Sequence, residues 1–211
     1  MKWRTALFDL DGTISDPFEG IYKSVNHALD EHGYEPARPG QVRSMIGPPL
    51  NEIFVSLLGP LDENRMLELI DSYRDRYASV GYAENVIYDD MPEIVTALYE
   101  SGYRMGVCTS KRADYAAKIV DMFGLGGFFE FVDGGDVHIK KYMQIERLVA
   151  TGIEAAETVM IGDRAVDIEA ARKNDIVAVG VIWGFGDRAE LETAGPDHIV
   201  DSPRELLEIL T

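Results

Sequence analysis

The sequence predicts an α/β fold in which a doubly wound parallel sheet carries a helical segment inserted after its first strand. Four short apolar runs, at residues 4–9, 103–109, 158–162 and 176–182, end in turn-forming residues, and helix-period segments separate the later runs. This alternation is typical of parallel sheets, whose strands are buried on both faces. Between Asp16 and about Asp90 the sequence shows helical periodicity and no convincing strand, so this part is predicted to be a helical insert.

The helices of the insert are the first elements after the opening strand. Two apolar stripes at spacings of three and four residues mark them, and such stripes predict packing faces rather than ligand sites. One stripe consists of Ile21, Tyr22, Val25, Ala28 and Leu29, and the other of Met66, Leu69, Ile70, Tyr73, Tyr77 and Val80.

The remaining elements follow the insert along the chain. Pro92 opens a helix that leads into the second strand, because proline is favoured in the first turn of a helix. Further helices are predicted at 112–123, 165–173 and 203–210, with short additional strands at Val132 and at 197–200. These elements divide the chain into a core, residues 1–15 and 91–211, and an insert, residues 16–90.

The composition limits the classes of partner. The chain has 211 residues and a formal net charge of −17, which opposes unguided binding to nucleic acid and to anionic membranes. The longest apolar run, Ile176 to Trp183, is too short to span a bilayer, and the amino terminus lacks the apolar stretch of a secretion signal. Its single cysteine excludes an internal disulfide. We therefore expect a cytoplasmic protein, monomeric or homodimeric, that acts on a small molecule and binds neither nucleic acid nor membrane.

Two carboxylates follow the first predicted strand. The apolar run 5–8 continues directly into Asp9-Leu10-Asp11-Gly12-Thr13. Side chains two residues apart in a strand point to the same face, and a glycine allows the sharp turn that follows. Like charges this close repel unless a cation lies between them or their protonation states differ, which indicates a chemical role. On this segment alone, an ordinary Asp-Gly turn with a surface acid remains an alternative.

Three further polar segments follow later apolar runs or precede a helix. They are Thr109-Ser110-Lys111, the pair Lys140-Lys141, and Gly162-Asp163-Arg164-Ala165-Val166-Asp167. Taken one by one, they could be a strand threonine, a surface lysine pair and a helix cap. Together they place a hydroxyl, a cation and carboxylates at the carboxyl edge of the sheet, where open α/β sheets bind ligands. The set therefore predicts a phosphate site.

In this order the four segments resemble the motifs of the haloacid dehalogenase-like hydrolase superfamily: Asp-x-Asp-Gly-Thr, a Ser or Thr, a Lys, and Gly-Asp-x-x-x-Asp. The resemblance covers the whole chain and is closest to phosphoglycolate phosphatase and 5'-nucleotidase-like members, partly through Trp183-Gly184-Phe185-Gly186-Asp187. It implies a Rossmann-like core, a cap domain formed by the insert, and a Mg²⁺-dependent phosphomonoesterase that forms an aspartyl phosphate. A 5'-nucleotide or 2-phosphoglycolate is the substrate expected. A phosphomutase of the same superfamily and, more remotely, a catalytically silent binding protein are the alternatives.

The carboxylates are assigned roles by this reaction. Asp9 is the expected nucleophile, and Asp11 the general acid for the leaving alcohol and the base for the attacking water. Mg²⁺ prefers hard oxygen ligands, so Asp9, the backbone carbonyl of Asp11 and Asp163 are the expected metal ligands. Asp167 is expected to hold a metal-bound water or to orient a neighbouring group.

The phosphoryl group needs donors and a fixed positive charge. We expect these from Thr109 and Ser110, from the loop residues Gly12 and Thr13, and from one lysine. The resemblance to the family implies Lys140, because the segment from this lysine to Gly162 then has the length seen in the most similar members. Helix phase favours Lys141, which shares a helix face with Ile145. Lys140 is our prediction.

The insert offers one candidate substrate loop, residues 43–49. Its glycine and two prolines make a rigid turn, and Arg43 could pair with a substrate anion. Arg43 and Gly47 are therefore predicted to face the substrate. A plain helix–helix connection is an equally good interpretation of this segment.

Overall fold

The computed structural model of the protein describes residues 3–136 and 139–211. Its described strands are β1 (Thr5–Phe8), β2 (Ser15–Asp16), β3 (Val86–Ile87), β4 (Arg104–Thr109), β5 (Phe131–Gly134), β6 (Thr158–Gly162), β7 (Val177–Val181) and β8 (His198–Val200). Six of them form one parallel sheet in the order β5-β4-β1-β6-β7-β8. The order reverses at β1, as in doubly wound sheets. The predicted fold class is confirmed.

Helices cover both faces of the sheet and form the insert. They are α1 (Phe18–Glu31), α2 (Pro39–Arg43), α3 (Leu50–Leu58), α4 (Glu63–Ser79), α5 (Met91–Glu100), α6 (Ala113–Met122), α7 (Lys141–Ala150), α8 (Ala165–Lys173), α9 (Arg188–Ala194) and α10 (Pro203–Leu210). No described helix is both long enough and apolar enough to cross a membrane.

Alternating side chains of the central strands divide the core between the two faces of the sheet. Phe8 packs on one face with α5 and α6 residues such as Ile94 and Ile119. Leu7 packs on the other face with Ile145 of α7 and with residues of α8. Because successive strand residues point to opposite faces, a short apolar run is enough to fill both layers.

The insert has its own apolar cluster. Helices α1 and α4 pack together through the two predicted stripes, with Val25, Leu29 and Leu69 among their buried residues. Val80 is an exception, because α4 ends at Ser79 and Val80 is 42% exposed. Strands β2 and β3 pair antiparallel, which joins the chain entering the insert to the chain leaving it.

Candidate active site

The site lies at the carboxyl edge of the sheet, where the strand order reverses. Strand β1 lies between β4 and β6. Asp9 follows β1, Thr109 ends β4, and Asp163 follows β6. These three side chains therefore meet because their strands are neighbours. All three residues are buried.

Three buried carboxylates form the centre of the site. Asp9, Asp163 and Asp167 each offer an oxygen atom, and these atoms lie within 4.8 Å of one another. Asp163 lies two residues before helix α8, which begins at Ala165 as predicted. Asp167 lies in the first turn of α8, and its Oδ2 accepts a hydrogen bond from the backbone N–H of Arg164 at 3.0 Å. Asp167 therefore caps the helix and also faces the carboxylate cluster.

The lysine of the site is Lys141, not Lys140. The Nζ of Lys141 lies 3.0 Å from Asp9 Oδ2 and contacts Asp167 Oδ1, and its side chain is fully buried. Lys140 precedes helix α7 with extended backbone angles and is exposed. Lys141 begins the helix and shares its inner face with the buried Ile145. Helix phase, which counted against Lys140 in the sequence, explains this correction.

Two glycines and two hydrogen-bond donors lie next to the carboxylate of Asp163. Gly12 has a φ of +92°, and a Cβ atom there would lie 2.1 Å from Asp163 Oδ2. The hydroxyl of Thr13 donates to Asp163 Oδ1 at 3.3 Å, and the backbone N–H of Phe185 donates to Oδ2 at 2.8 Å. A Cβ at Gly184 would also collide with this carboxylate. The structure thus places Gly12 and Thr13 against Asp163, where they orient a carboxylate, and their predicted contact with substrate stays a prediction.

Asp11 has a partner that the sequence analysis did not assign. Lys111 Nζ lies 2.7 Å from Asp11 Oδ2 and donates to the Tyr77 hydroxyl at 2.8 Å. The other oxygen of Asp11, Oδ1, is buried and has no hydrogen-bond partner among the described residues. Tyr77 belongs to α4 of the insert, so the insert contacts the candidate acid through Lys111. The only sequence signal for Lys111 was its position two residues beyond Thr109.

Thr109 and Ser110, the predicted phosphoryl donors, lie beside the candidate nucleophile. Both residues line the cavity that also contains Asp9 and Asp11. The buried Gln144 of α7 donates its Nε2 to the Thr109 carbonyl at 3.1 Å, which fixes the end of β4. Gln144 lies three residues after Lys141 on the same helix, so one face of α7 supports two parts of the site.

Burial and charge shift the ionisation of these groups. Burial raises the pKa of Asp11, although the Lys111 ammonium opposes the shift. Burial also raises the pKa of Asp167 to about 6, against the effect of Lys141. For Asp163, burial and the neighbouring carboxylates raise the pKa well above its usual value. Burial alone would lower the pKa of Lys141, but Asp167 and Asp9 offset it and raise the pKa, so this lysine stays charged.

The charges fit a divalent cation. Among the described residues, the carboxyl groups of Asp9, Asp163 and Asp167 lie beside one ammonium group, that of Lys141, so two negative charges would stay unpaired in a buried place if all three were ionised. Buried charges are stable only when they are paired or bind a metal. Carboxylate oxygens are the donors that Mg²⁺ prefers. The residues present therefore fit a divalent cation such as Mg²⁺.

The loop of the insert reaches the site, but Arg43 does not. Gly47 lines the cavity. Arg43 lies instead over the rings of Phe18 and Phe185, at 5.4 and 4.9 Å from their centroids, and 3.6 Å from Asp16. The prediction that Arg43 faces the substrate cavity is wrong, because aromatic rings from two distant segments hold its guanidinium elsewhere.

Arg164 links the carboxylate cluster to this same loop. Its side chain donates to the backbone carbonyl of Ile46, and its Nε donates to Glu190 at 2.9 Å. A Cβ at Gly47 would lie 2.8 Å from the Arg164 side chain. The residue following Asp163 therefore contacts the insert rather than lining the cavity.

Known proteins are similar to this chain in sequence and in fold. A family model described as haloacid dehalogenase-like hydrolase matches residues 6–181. A 5'-nucleotidase of Pseudomonas aeruginosa is 34% identical, over 100% of this chain and 96% of the relative. A phosphoglycolate phosphatase of Aquifex aeolicus is 27% identical, over 98% of this chain and 96% of the relative. The crystal structure of a predicted phosphatase from Clostridium acetobutylicum has a TM-score of 0.93 at 32% identity and covers 100% of this chain and 99% of that one.

Proposed function

The chain belongs to the haloacid dehalogenase-like hydrolases, and from this membership and the geometry of its site we propose a Mg²⁺-dependent phosphomonoesterase that works through an aspartyl phosphate. The observation that supports this most is the contact of buried Asp9 with Lys141 beside Asp163. A nucleophile, a fixed cation and a second carboxylate within one buried cluster are what phosphoryl transfer requires.

In the first half of the proposed reaction, a carboxylate oxygen of Asp9 attacks phosphorus and the bond to the leaving oxygen breaks. Asp11 donates its proton to that oxygen. The raised pKa of Asp11 supports this role, because burial favours the protonated acid before the reaction begins. The backbone N–H of Leu10 donates to Asp9 Oδ1 at 2.8 Å and orients the nucleophile.

In the second half, Asp11 accepts a proton from water, the water oxygen attacks the aspartyl phosphate, and inorganic phosphate leaves with Asp9 restored. Lys141 would neutralise charge on the phosphoryl oxygens, and Thr109 and Ser110 would donate hydrogen bonds to them. A bound Mg²⁺ would add Lewis-acid neutralisation of the same oxygens. We further propose that residues 16–90 act as a cap, which is supported by the position of the Ile46–Gly47 loop beside Asp9 and Asp11.

Asp9→Asn tests the covalent mechanism. The amide is nearly isosteric but is not a competent nucleophile, so phosphate release should fall by about three orders of magnitude or more while thermal unfolding changes little. Asp30→Asn, at an exposed position of the insert, is the matched control and should retain activity. Trapping of labelled phosphate on the wild type but not on Asp9→Asn would support the intermediate. Turnover by Asp9→Asn within about tenfold of wild type would refute it.

A further inference from the structure

The cavity next to Asp9 and Asp11 has a distinctive lining. It has about 90 Å³ of space for water-sized occupants, which is room for several water molecules. Its apolar wall comes mainly from the insert and includes the buried side chains of Ile21, Ile46 and Ile53. The leaving group of a substrate bound at Asp9 would lie against this wall.

Three tyrosines extend the wall. Tyr73 and Tyr77 stack with their ring centroids 5.4 Å apart, and Tyr115 meets Tyr77 edge to face at 5.3 Å. All three residues line the cavity. Flat aromatic walls favour ring-shaped ligands, because stacked and edge-to-face ring contacts add to the burial of apolar area.

The described basic residues that line the cavity already form ion pairs with carboxylates of the protein. Within the described part of the chain its lining includes the three basic residues Arg74, Lys111 and Arg112. Each forms an ion pair with a carboxylate: Arg74 with Asp136 at 3.0 Å, Lys111 with Asp11 at 2.7 Å, and Arg112 with Asp114 at 2.7 Å. A second anionic group on the substrate would have to displace one of these carboxylates or lie unpaired against apolar side chains, which is costly.

We propose that this cavity selects monophosphate esters of uncharged, ring-bearing alcohols, such as a nucleoside, and disfavours substrates with a second anionic group beyond the transferred phosphate. The inference rests on the proposed phosphomonoesterase function and names the substrate class of that same site. It separates the two substrates expected from the sequence, because 2-phosphoglycolate carries a carboxylate and a nucleoside does not.

The first test compares kcat/KM for thymidine 5'-monophosphate, 2-phosphoglycolate and pyrophosphate with Mg²⁺ present. The nucleotide should exceed each of the other two by about tenfold or more. An equal or higher kcat/KM for 2-phosphoglycolate or pyrophosphate would overturn the inference and leave the phosphatase function intact. If none of these substrates and no p-nitrophenyl phosphate were hydrolysed, the proposed function itself would fail.

The second test removes the carboxylate that pairs with Arg74. Asp136→Asn removes the carboxylate that neutralises Arg74 at a half-exposed place, where the fold should tolerate the change. The ratio of kcat/KM for 2-phosphoglycolate to that for thymidine 5'-monophosphate should rise by about threefold to tenfold, because a freed guanidinium can pair with the substrate carboxylate. Asp30→Asn should leave the ratio unchanged. An unchanged ratio in Asp136→Asn would contradict the role given to the paired cations.

Discussion

The structure makes its sharpest prediction for the effect of replacing Lys141. Within residues 3–136 and 139–211, its ammonium group is the one cation in contact with Asp9 and Asp167, and its side chain is fully buried. Lys141→Met keeps the length and apolar character of the stem and removes only the charge. Removal of one partner from a buried ion pair typically costs about 3–5 kcal/mol, because the remaining charge is left unpaired.

Proton uptake limits this cost. Asp167 has a pKa of about 6, so its protonation at about pH 7.5 costs at most about 2 kcal/mol at about 1.4 kcal/mol per pH unit. Because Asp9 loses the same cation, we expect Lys141→Met to lower the free energy of unfolding of the metal-free protein by about 2–4 kcal/mol in total. For a chain of this length that corresponds to a fall in Tm of roughly 5–15 °C. The loss should shrink as the pH falls, because Lys141 no longer lowers the pKa of Asp167 in this variant and the carboxyl therefore takes up a proton more readily than in the wild type.

Activity and stability together test this reasoning. The kcat for phosphate release by Lys141→Met should fall by about 10²–10³, the range for loss of one group that stabilises a developing charge. Lys140→Met is the matched control, because Lys140 is exposed and one residue away. It should change neither Tm nor kcat appreciably. A Lys141→Met variant with the Tm and kcat of wild type, or a severe loss only in Lys140→Met, would refute the placement.

Three further predictions concern the carboxylates and their partners. Lys111 pairs with Asp11, the proposed acid, so Lys111→Met should lower kcat by about 10²-fold for alkyl phosphates. The loss should be much smaller for p-nitrophenyl phosphate, because p-nitrophenolate leaves without a proton from Asp11. Equal losses for both substrates would indicate a purely structural role for Lys111. Burial raises the pKa values of Asp163 and Asp167, the latter to about 6, so protons compete with Mg²⁺ and its affinity, measured by calorimetric titration, should weaken as the pH falls through about 6. An affinity for Mg²⁺ that does not change with pH would contradict the assignment of these carboxylates to the metal site. The same raised pKa values mean that the free energy of unfolding of the metal-free protein should increase as the pH falls from 7 towards 5.

The sequence predicted the sheet well, because its strands are continuous apolar runs bounded by turns. Strand β6 and helices α8 and α10 have the predicted boundaries. Helix α9 was not predicted, since it is seven residues long and buries only Leu191, which leaves no periodicity to detect. Its end signals were nevertheless present: Asp187 caps its first turn, and Gly195 ends it with a φ of 70°.

The site was predictable only where its residues belong to one local pattern. Asp9, Asp163 and Thr109 meet because strand ends meet, which follows from the topology. The contact of Lys111 with Tyr77 spans 34 residues and depends on how the insert lies over the sheet, which no local pattern specifies. The choice between Lys140 and Lys141 was decidable from helix phase, and the burial of Lys141 shows that this physical signal outweighs a match of segment length.

The pairing of β2 with β3 bears on how such an enzyme can be rebuilt. Ser15 lies opposite Ile87 and Asp16 opposite Val86, so the chain leaves the sheet and returns to it at one point. The pairing of the core strands should depend little on the length of the segment between Asp16 and Val86, because the entropic cost of closing a loop grows only slowly with the number of residues in it. We therefore expect the order of the sheet to survive an exchange of residues 17–85 for a different set of helices, or for a short turn, on the same two-stranded stem.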